Sequence, residues 1–487
     1  MGLITLIYSV YGFFITLATS GIGLAVTRLI STVHTGNGTE PFSEDSSRKS
    51  RRILKSSLIY ALIFSVTASL ILFISAENIG LLALGDRRTV PSVRILSLSL
   101  TPIAVTSVLY GYFNGVRRVY KNIAVQICEQ GVKISLATFL ISLALPKGVE
   151  HACFSVVLAG VISEGASMVI SALLCLHDRK KYTKNSTTVV NFRNKAPFSQ
   201  NNDTSKIDSS LYGIFTVAFP VGVSAYVRSA LATVEHIAIP WGLKQSGGVN
   251  PLGSYGILHG MVFPVLLFPS AMLGAFSSLL IPELSSLQAN KNTDGIRRAV
   301  SSVMSLSLLF SVGVSGIFIS FSHEIGIALY GSNEAGEYIR ILSPLIPLMY
   351  LDGAVDSMLK GLGEQMYCMR VNIADSLISV ILIVTMLPVW GMRGYVAVIF
   401  ITELFNTSLS IIRLLYITGV STPCLKWIGI PLFSVILSTV ATRLAFDNVP
   451  LLLFLGNKPR AFTELLISSI IYVFATLLLR RLYVSRN

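Results

Sequence analysis

Charge is what this sequence has least of. Asp, Glu, Lys and Arg together make up 13% of its 487 residues, against roughly 25% in soluble domains. That shortage excludes a water-facing surface for most of the chain. Cysteine is also sparse: Cys128, Cys153, Cys175, Cys368 and Cys424 lie far apart, so no pair has metal-ligand or redox spacing, and they read as small core hydrophobes. Acid is the scarcer sign, with 24 Asp and Glu against 38 Lys and Arg. The surplus of base does not make a nucleic-acid binder, because it sits in short loops between apolar runs rather than on one face with interleaved aromatics. No basic n-region precedes the first apolar run, which reads as a retained span rather than a leader. There is no metal-type His motif, no G-x-S-x-G and no P-loop, so the sequence points to neither an enzyme nor a resident metal or cofactor.

What the chain has in abundance is apolar residues, 52% of the total, with a mean hydropathy of +0.69. A helix needs about 20 apolar residues to cross the hydrocarbon of a bilayer. Thirteen runs meet that need, near 6–29, 53–75, 92–114, 124–145, 152–176, 211–240, 255–281, 300–321, 339–362, 371–387, 395–418, 427–444 and 462–479. The expected fold is all-α, a polytopic membrane protein of about thirteen transmembrane helices. Prolines 102, 220, 264, 269, 344 and 347 fall inside these runs and should kink or break helices, which a bundle tolerates. Lys and Arg number 25 in the loops after odd-numbered spans and in the tail, against 9 in the opposite set. By the positive-inside rule the first set, and with it the C-terminus, is cytoplasmic. A first span that starts outside with no charge before it suggests one further helix ahead of Met1. The amphipathic stretch 283–298 is expected to lie on the cytoplasmic membrane surface.

An internal repeat organises the chain. Residues 51–97 align without gaps on 297–343, with 16 identities over 47 positions; Arg51 and Arg52 fall on Arg297 and Arg298, and Arg94-Ile-Leu-Ser97 recurs as Arg340-Ile-Leu-Ser343. The offset passes six spans, an even number, so the copies share membrane orientation, as in transporters with parallel repeats. The expected domains are an N-terminal lobe at 1–176, a cytoplasmic polar linker at 177–210, a C-terminal lobe at 211–418 and two added helices at 419–487. Two like lobes with a substrate path between them is an alternating-access design.

Several motifs then resemble the stage V sporulation protein B family. They are Pro220, Arg228-Ser229, Glu235 and Ile239-Pro240, followed by Tyr255-Gly-Ile-Leu258 and Gly260-Met-Val-Phe-Pro-Val-Leu-Leu-Phe-Pro-Ser270. Leu84-Gly-Asp-Arg-Arg-Thr89, Gly111-Tyr-Phe-Asn-Gly115, Glu129-Gln130 and Leu359-Lys-Gly-Leu-Gly-Glu-Gln365 belong with them. This family is a polysaccharide-transporter branch of the superfamily that also holds multidrug extruders and lipid II flippases. The resemblance implies fourteen helices in two lobes and a cationic central cavity for polyprenyl-pyrophosphate-linked sugars. It implies a multi-pass protein of the bacterial cell membrane that flips a peptidoglycan precursor in wall or spore-cortex synthesis. Met1 falls where members of the family finish their first helix, so a start assigned too late, or a truncated scaffold for wall assembly, is expected. A cation-coupled multidrug antiporter on the same fold is the alternative; its cavity would be dominated by acids.

Charges within spans are costly, about 2.5–3.5 kcal/mol on insertion scales, and therefore mark candidate sites. Arg228, Glu235 and His236 share one span at spacings that place them near one helix face. Arg228 suits a pyrophosphate, because guanidinium matches phosphate oxygens bidentately, and Glu235 would orient it or couple transport to a cation or proton. Against this stands a structural ion pair. Glu129 and Lys133, four apart, read equally as a helix pair or as cavity residues. Arg28, at a span end, reads as a snorkelling base or, by the resemblance, as a cavity base. Asp352 and Asp356 share a face and would bind a coupling cation. Glu164, Asp375 and Glu403 are further acids on spans; His259 reads as a packed polar residue, Arg443 as a lipid-interface residue, and Gly21, Gly23, Gly313 and Gly316 as close helix contacts.

Overall fold

The computed structural model describes residues 2–19, 21–35, 44–83, 87–116, 118–144, 146, 148–189, 211–247, 250–420, 425–448 and 457–486. Its helices are α1 (Gly2–Thr19), α2 (Ile22–Thr35), α3 (Glu44–Asn78), α4 (Val90–Gly115), α5 (Val119–Ala144), α6 (Val149–Val189), α7 (Leu211–Gln245), α8 (Pro251–Ile257) and α9 (Phe263–Leu267). They continue with α10 (Ser270–Ala289), α11 (Thr293–Ser320), α12 (Ser322–Tyr330), α13 (Asn333–Leu342), α14 (Ile346–Gly361), α15 (Gln365–Thr418), α16 (Ile430–Asn448) and α17 (Asn457–Arg486). There is no strand among the described residues. Nine helical stretches among them are long and apolar enough to cross a membrane. The chain is a polytopic all-α membrane protein.

Lipid explains where the apolar side chains go. The α5 span is only 6% buried, and Ile127, Ile134 and Phe139 on it are exposed. On α17 the exposed residues Leu466, Ile470, Phe474 and Leu477 recur every three or four positions and form one stripe. In water such stripes would demand a partner; in a bilayer they meet acyl chains.

Helix ends and breaks follow local chemistry. Asn250, Asn292 and Ser332 cap α8, α11 and α13 by accepting from the backbone N–H three residues on, at 3.0, 2.8 and 3.2 Å. The predicted first span is two helices, because Gly21 takes a positive φ of 67° between α1 and α2. The predicted seventh span is broken: α8 passes through a π turn at Leu258–Val262 into α9, and α10 begins only after Pro269. The amphipathic stretch 283–298 is the end of α10 and the start of α11, joined by a turn in which Lys291 has φ 52°. The tenth and eleventh predicted spans are contained in α15, a 54-residue stretch that changes direction at Gly391, where φ 55° and ψ −135° are non-helical. The first part of the predicted linker is the end of α6, which runs to Val189; 190–210 lie outside the described residues.

The chain forms two compact units. An N-terminal unit comprises Leu6–Thr233, and a C-terminal unit comprises Met1–Thr5 with Val234–Asn487. In the first, Ile22, Val26, Ile53, Val108 and Phe113 are buried in one core. The α2 and α4 backbones approach closely there. A Cβ on Gly111 would lie 2.6 Å from the Gly23 carbonyl oxygen, and one on Gly23 would lie 2.8 Å from the Ser107 hydroxyl. In the second, Leu284, Val300, Met358, Leu414 and Trp427 share a core. Gly313 and Gly316 admit Tyr472 of α17 and Val435 of α16 against α11.

Each unit also carries an ion clamp beside the turn that follows its glycine-rich motif. In the N-terminal unit Arg118 and Lys121 bind the buried Asp178 of α6 at 3.0 and 2.5 Å. In the C-terminal unit Glu364 receives a bidentate pair of bonds from Arg413 of α15, with Nη2 2.9 and 3.0 Å from its two oxygens.

Candidate functional site

Polar groups on apolar helices gather in one place within each unit. In the N-terminal unit they line a cavity of about 740 Å³. The helix break at Gly21 brings backbone to its wall. Around it stand Glu129 and Gln130 of α5, Glu164 of α6 and Asn114 at the end of α4. Asn114 is held there by Asn122, whose amide donates to its Oδ1 at 2.7 Å. Glu164 accepts from the Tyr11 hydroxyl at 2.9 Å, and that hydroxyl also bonds to the buried Ser99. Among the described lining residues none is basic.

Glu129 therefore stands on the cavity wall, and no ion pair joins it to Lys133. The ammonium of Lys133 instead lies 5.7 Å from the Tyr8 ring centre, above its face. Arg28 is on α2, and its side chain lies outside the described residues. Arg228 is exposed on the part of α7 that belongs to this unit. The next residue, Ser229, accepts from the Thr16 hydroxyl of α1 at 3.1 Å. Glu235 and His236 lie further along α7, in the C-terminal unit.

In that unit the polar groups form a network. Glu235 accepts from the Ser379 hydroxyl of α15 at 2.8 Å. His236 Nδ1 shares a hydrogen bond with the Tyr255 hydroxyl at 3.0 Å, and His259 Nε2 shares one with the Tyr395 hydroxyl at 2.6 Å. The two imidazoles are 5.0 Å apart, and His259 is stacked on Tyr255 at 4.5 Å. The π turn that carries His259 adds a residue to the helix and re-aims its side chains, a device common at functional sites.

Acids gather beside this network. Asp375 is near enough to Glu235 and Asp352 to feel their charge, and Glu403 to feel Asp352 and Asp375. One oxygen of Asp375 is buried without a hydrogen-bond partner among the described residues. Asp356, expected with Asp352 to bind a cation, is paired with Lys360 at 3.1 Å. No three His, Cys, Asp or Glu among the described residues converge closely enough to hold a metal ion. Ser379 and Tyr395 carry no sequence signal of a role, because their partners lie on other helices; Tyr255 has one only in the motif it opens.

Comparison with known proteins adds three findings. The family model described as polysaccharide biosynthesis protein matches residues 1–288, and the MatE model matches 227–385. Stage V sporulation protein B of Bacillus subtilis (strain 168) is 25% identical over 385 residues, which cover 78% of this chain and 70% of that protein. The lipid II flippase MurJ of the same organism is 22% identical over 409 residues, 80% of this chain and 71% of the relative. In fold, a solved lipid II flippase MurJ in an inward closed conformation superposes with a TM-score of 0.62 at 13% identity, covering 99% of this chain and 98% of that one.

Proposed function

The chain belongs to the polysaccharide biosynthesis protein family, and from that premise we propose that it flips a lipid-linked oligosaccharide, of the lipid II type, from the inner to the outer leaflet by alternating access. The observation that carries this reading is its similarity to a stage V sporulation protein and to a lipid II flippase over about four-fifths of its length. The setting is a bacterial cell membrane with the C-terminus in the cytoplasm, as the distribution of base favours. Arg228 is the substrate-facing base, an exposed guanidinium suited to a polyprenyl pyrophosphate. Glu129 is a cavity residue, and Lys133 and Arg28 are held as further cavity bases.

The C-terminal network is read as the coupling device. Asp375 is linked electrostatically to Glu235 and Asp352, and Glu403 to Asp352 and Asp375, and a chain of carboxyls so linked cannot all ionise at low cost in an apolar bundle. They therefore suit a shared proton more than a divalent metal cage. Glu235, Asp352, Asp375 and Glu403 are the carboxyls in this reading, with His236 and His259 beside them; Asp356 serves to hold Lys360.

The test is complementation of cells depleted of their lipid II flippases. Rescue, lost in Arg228→Glu while the variant still inserts, is the expected result. Failure to rescue by the inserted wild-type protein would overturn the lipid II reading. A second reading, a cation-coupled multidrug antiporter, is favoured by one observation: the N-terminal cavity presents Glu129 and Glu164 and no described base. Uptake of lipophilic cations into inverted vesicles, driven by a proton gradient, would distinguish it.

A further inference from the structure

The C-terminal unit holds a second cavity, of about 680 Å³, away from the acid network. Arg297 and Arg298 come to it from the first turns of α11, Arg480 from the last turns of α17, and Trp427 from the π turn before α16. The candidate spans Thr293–Ser320, Trp427–Phe446 and Pro459–Arg481 therefore all contribute terminal residues. The cavity lies at the depth where a span meets the headgroups, a level at which Trp and Arg are favoured.

Its arginines are held but not neutralised. Arg297 Nε donates to the Thr418 carbonyl at 3.1 Å, and Arg480 Nη2 donates to the Ser305 hydroxyl at 2.9 Å. Arg298 Nε donates to the Asp294 carbonyl at 3.3 Å. None of the three pairs with a carboxylate among the described residues. The Nε of Arg480 is buried with no partner there at all. Gly419, with φ 61°, leaves room for Arg297: a Cβ there would stand 3.3 Å from its Nη2. Three guanidiniums line one cavity whose lining holds no acid, a positive surface that an anion would neutralise.

The internal repeat shows that this is not a general feature of the fold. Arg51 and Arg52 are the equivalents of Arg297 and Arg298, and both pairs are exposed, on α3 and α11; the copies differ in what stands beside them. Arg480 and Trp427 have no equivalent in the first copy, because α16 and α17 follow only the second.

We infer that this cavity binds a phosphate ester group, carried either by an anionic phospholipid headgroup or by a soluble phosphate. Guanidinium forks match phosphate oxygens bidentately, and basic pockets between transmembrane helices take anionic headgroups. The site is separate from the transport reading and stands or falls without it.

The test uses the full-length protein, delipidated in a neutral detergent and titrated with phosphatidylglycerol, phosphatidylcholine or inorganic phosphate. Binding is followed by native mass spectrometry and by thermal stabilisation. Phosphatidylglycerol should bind in preference to phosphatidylcholine, and the double variant Arg298→Gln/Arg480→Gln should weaken it by about tenfold. Arg51→Gln/Arg52→Gln should leave it unchanged. If inorganic phosphate binds through the same arginines and phosphatidylglycerol does not, the ligand is a soluble phosphate. Arg480→Lys keeps the charge and loses the planar fork; it should weaken binding and serves if the double variant does not fold. Equal affinity of wild type and variants for both ligands would overturn the inference.

Discussion

At the scale of single residues, the informative positions are charges in places that penalise them. Arg228 is exposed on an apolar helix, and a pyrophosphate would read both its charge and its planar fork. Arg228→Glu is expected to abolish rescue of flippase-depleted cells, and Arg228→Lys to retain part of it; membrane fractionation checks that both insert. Burial sets a contrast between the two ion clamps. Asp178 is 4% exposed beside a Lys121 that is 10% exposed, so Asp178→Asn leaves a buried cation unpaired and should cost about 3 kcal/mol. Arg413 and Glu364 are 33% and 26% exposed, and with solvent screening Glu364→Gln should cost about 1 kcal/mol or less. Thermal unfolding in micelles should therefore show the larger loss for Asp178→Asn. Sequence spacing identified the acids on spans but not their company. It placed Asp352 and Asp356 on one helix face, and it could not show that Asp375 and Glu403 of α15 stand within electrostatic range of Asp352, a proximity invisible to any local pattern.

At the scale of elements, glycine and proline decide where spans break. Gly391 combines φ 55° with ψ −135°, a region essentially closed to side chains. Gly391→Ala should destabilise the protein by roughly 1–3 kcal/mol, read as a lower unfolding temperature, with Gly274→Ala, a helical position with open space around it, as the unaffected control. The two spans on either side were legible because Gly391-Met-Arg-Gly394 interrupts the apolar run. The break at Gly21 was not legible, since a glycine inside an apolar run reads equally as a helix contact, the role Gly23 does fill. The turn between α10 and α11 had a signal that the amphipathic pattern masked: Asn292 followed by Thr-Asp-Gly is a cap sequence.

At the scale of the whole molecule, apolar length and charge scarcity were enough for the all-α membrane class, because the bilayer allows few alternatives. The site was less legible, because its network joins α7, the π turn and α15 over long sequence separations. The coupling reading has a direct check. In proteoliposomes, flipping of a lipid-linked sugar should respond to an imposed proton gradient, and Asp375→Asn should remove that response; an unchanged response in the variant would remove Asp375 from the coupling device. Orientation can be read separately, since a C-terminal fluorescent protein should fold and fluoresce while a C-terminal alkaline phosphatase should stay inactive.

The two ion clamps hold one more consequence. The repeat puts them at matching turns, yet base comes from the turn and acid from the closing helix in one copy, and the reverse in the other. The two halves therefore close the same junction with ion pairs of opposite polarity, and no residue of one clamp repeats in the other.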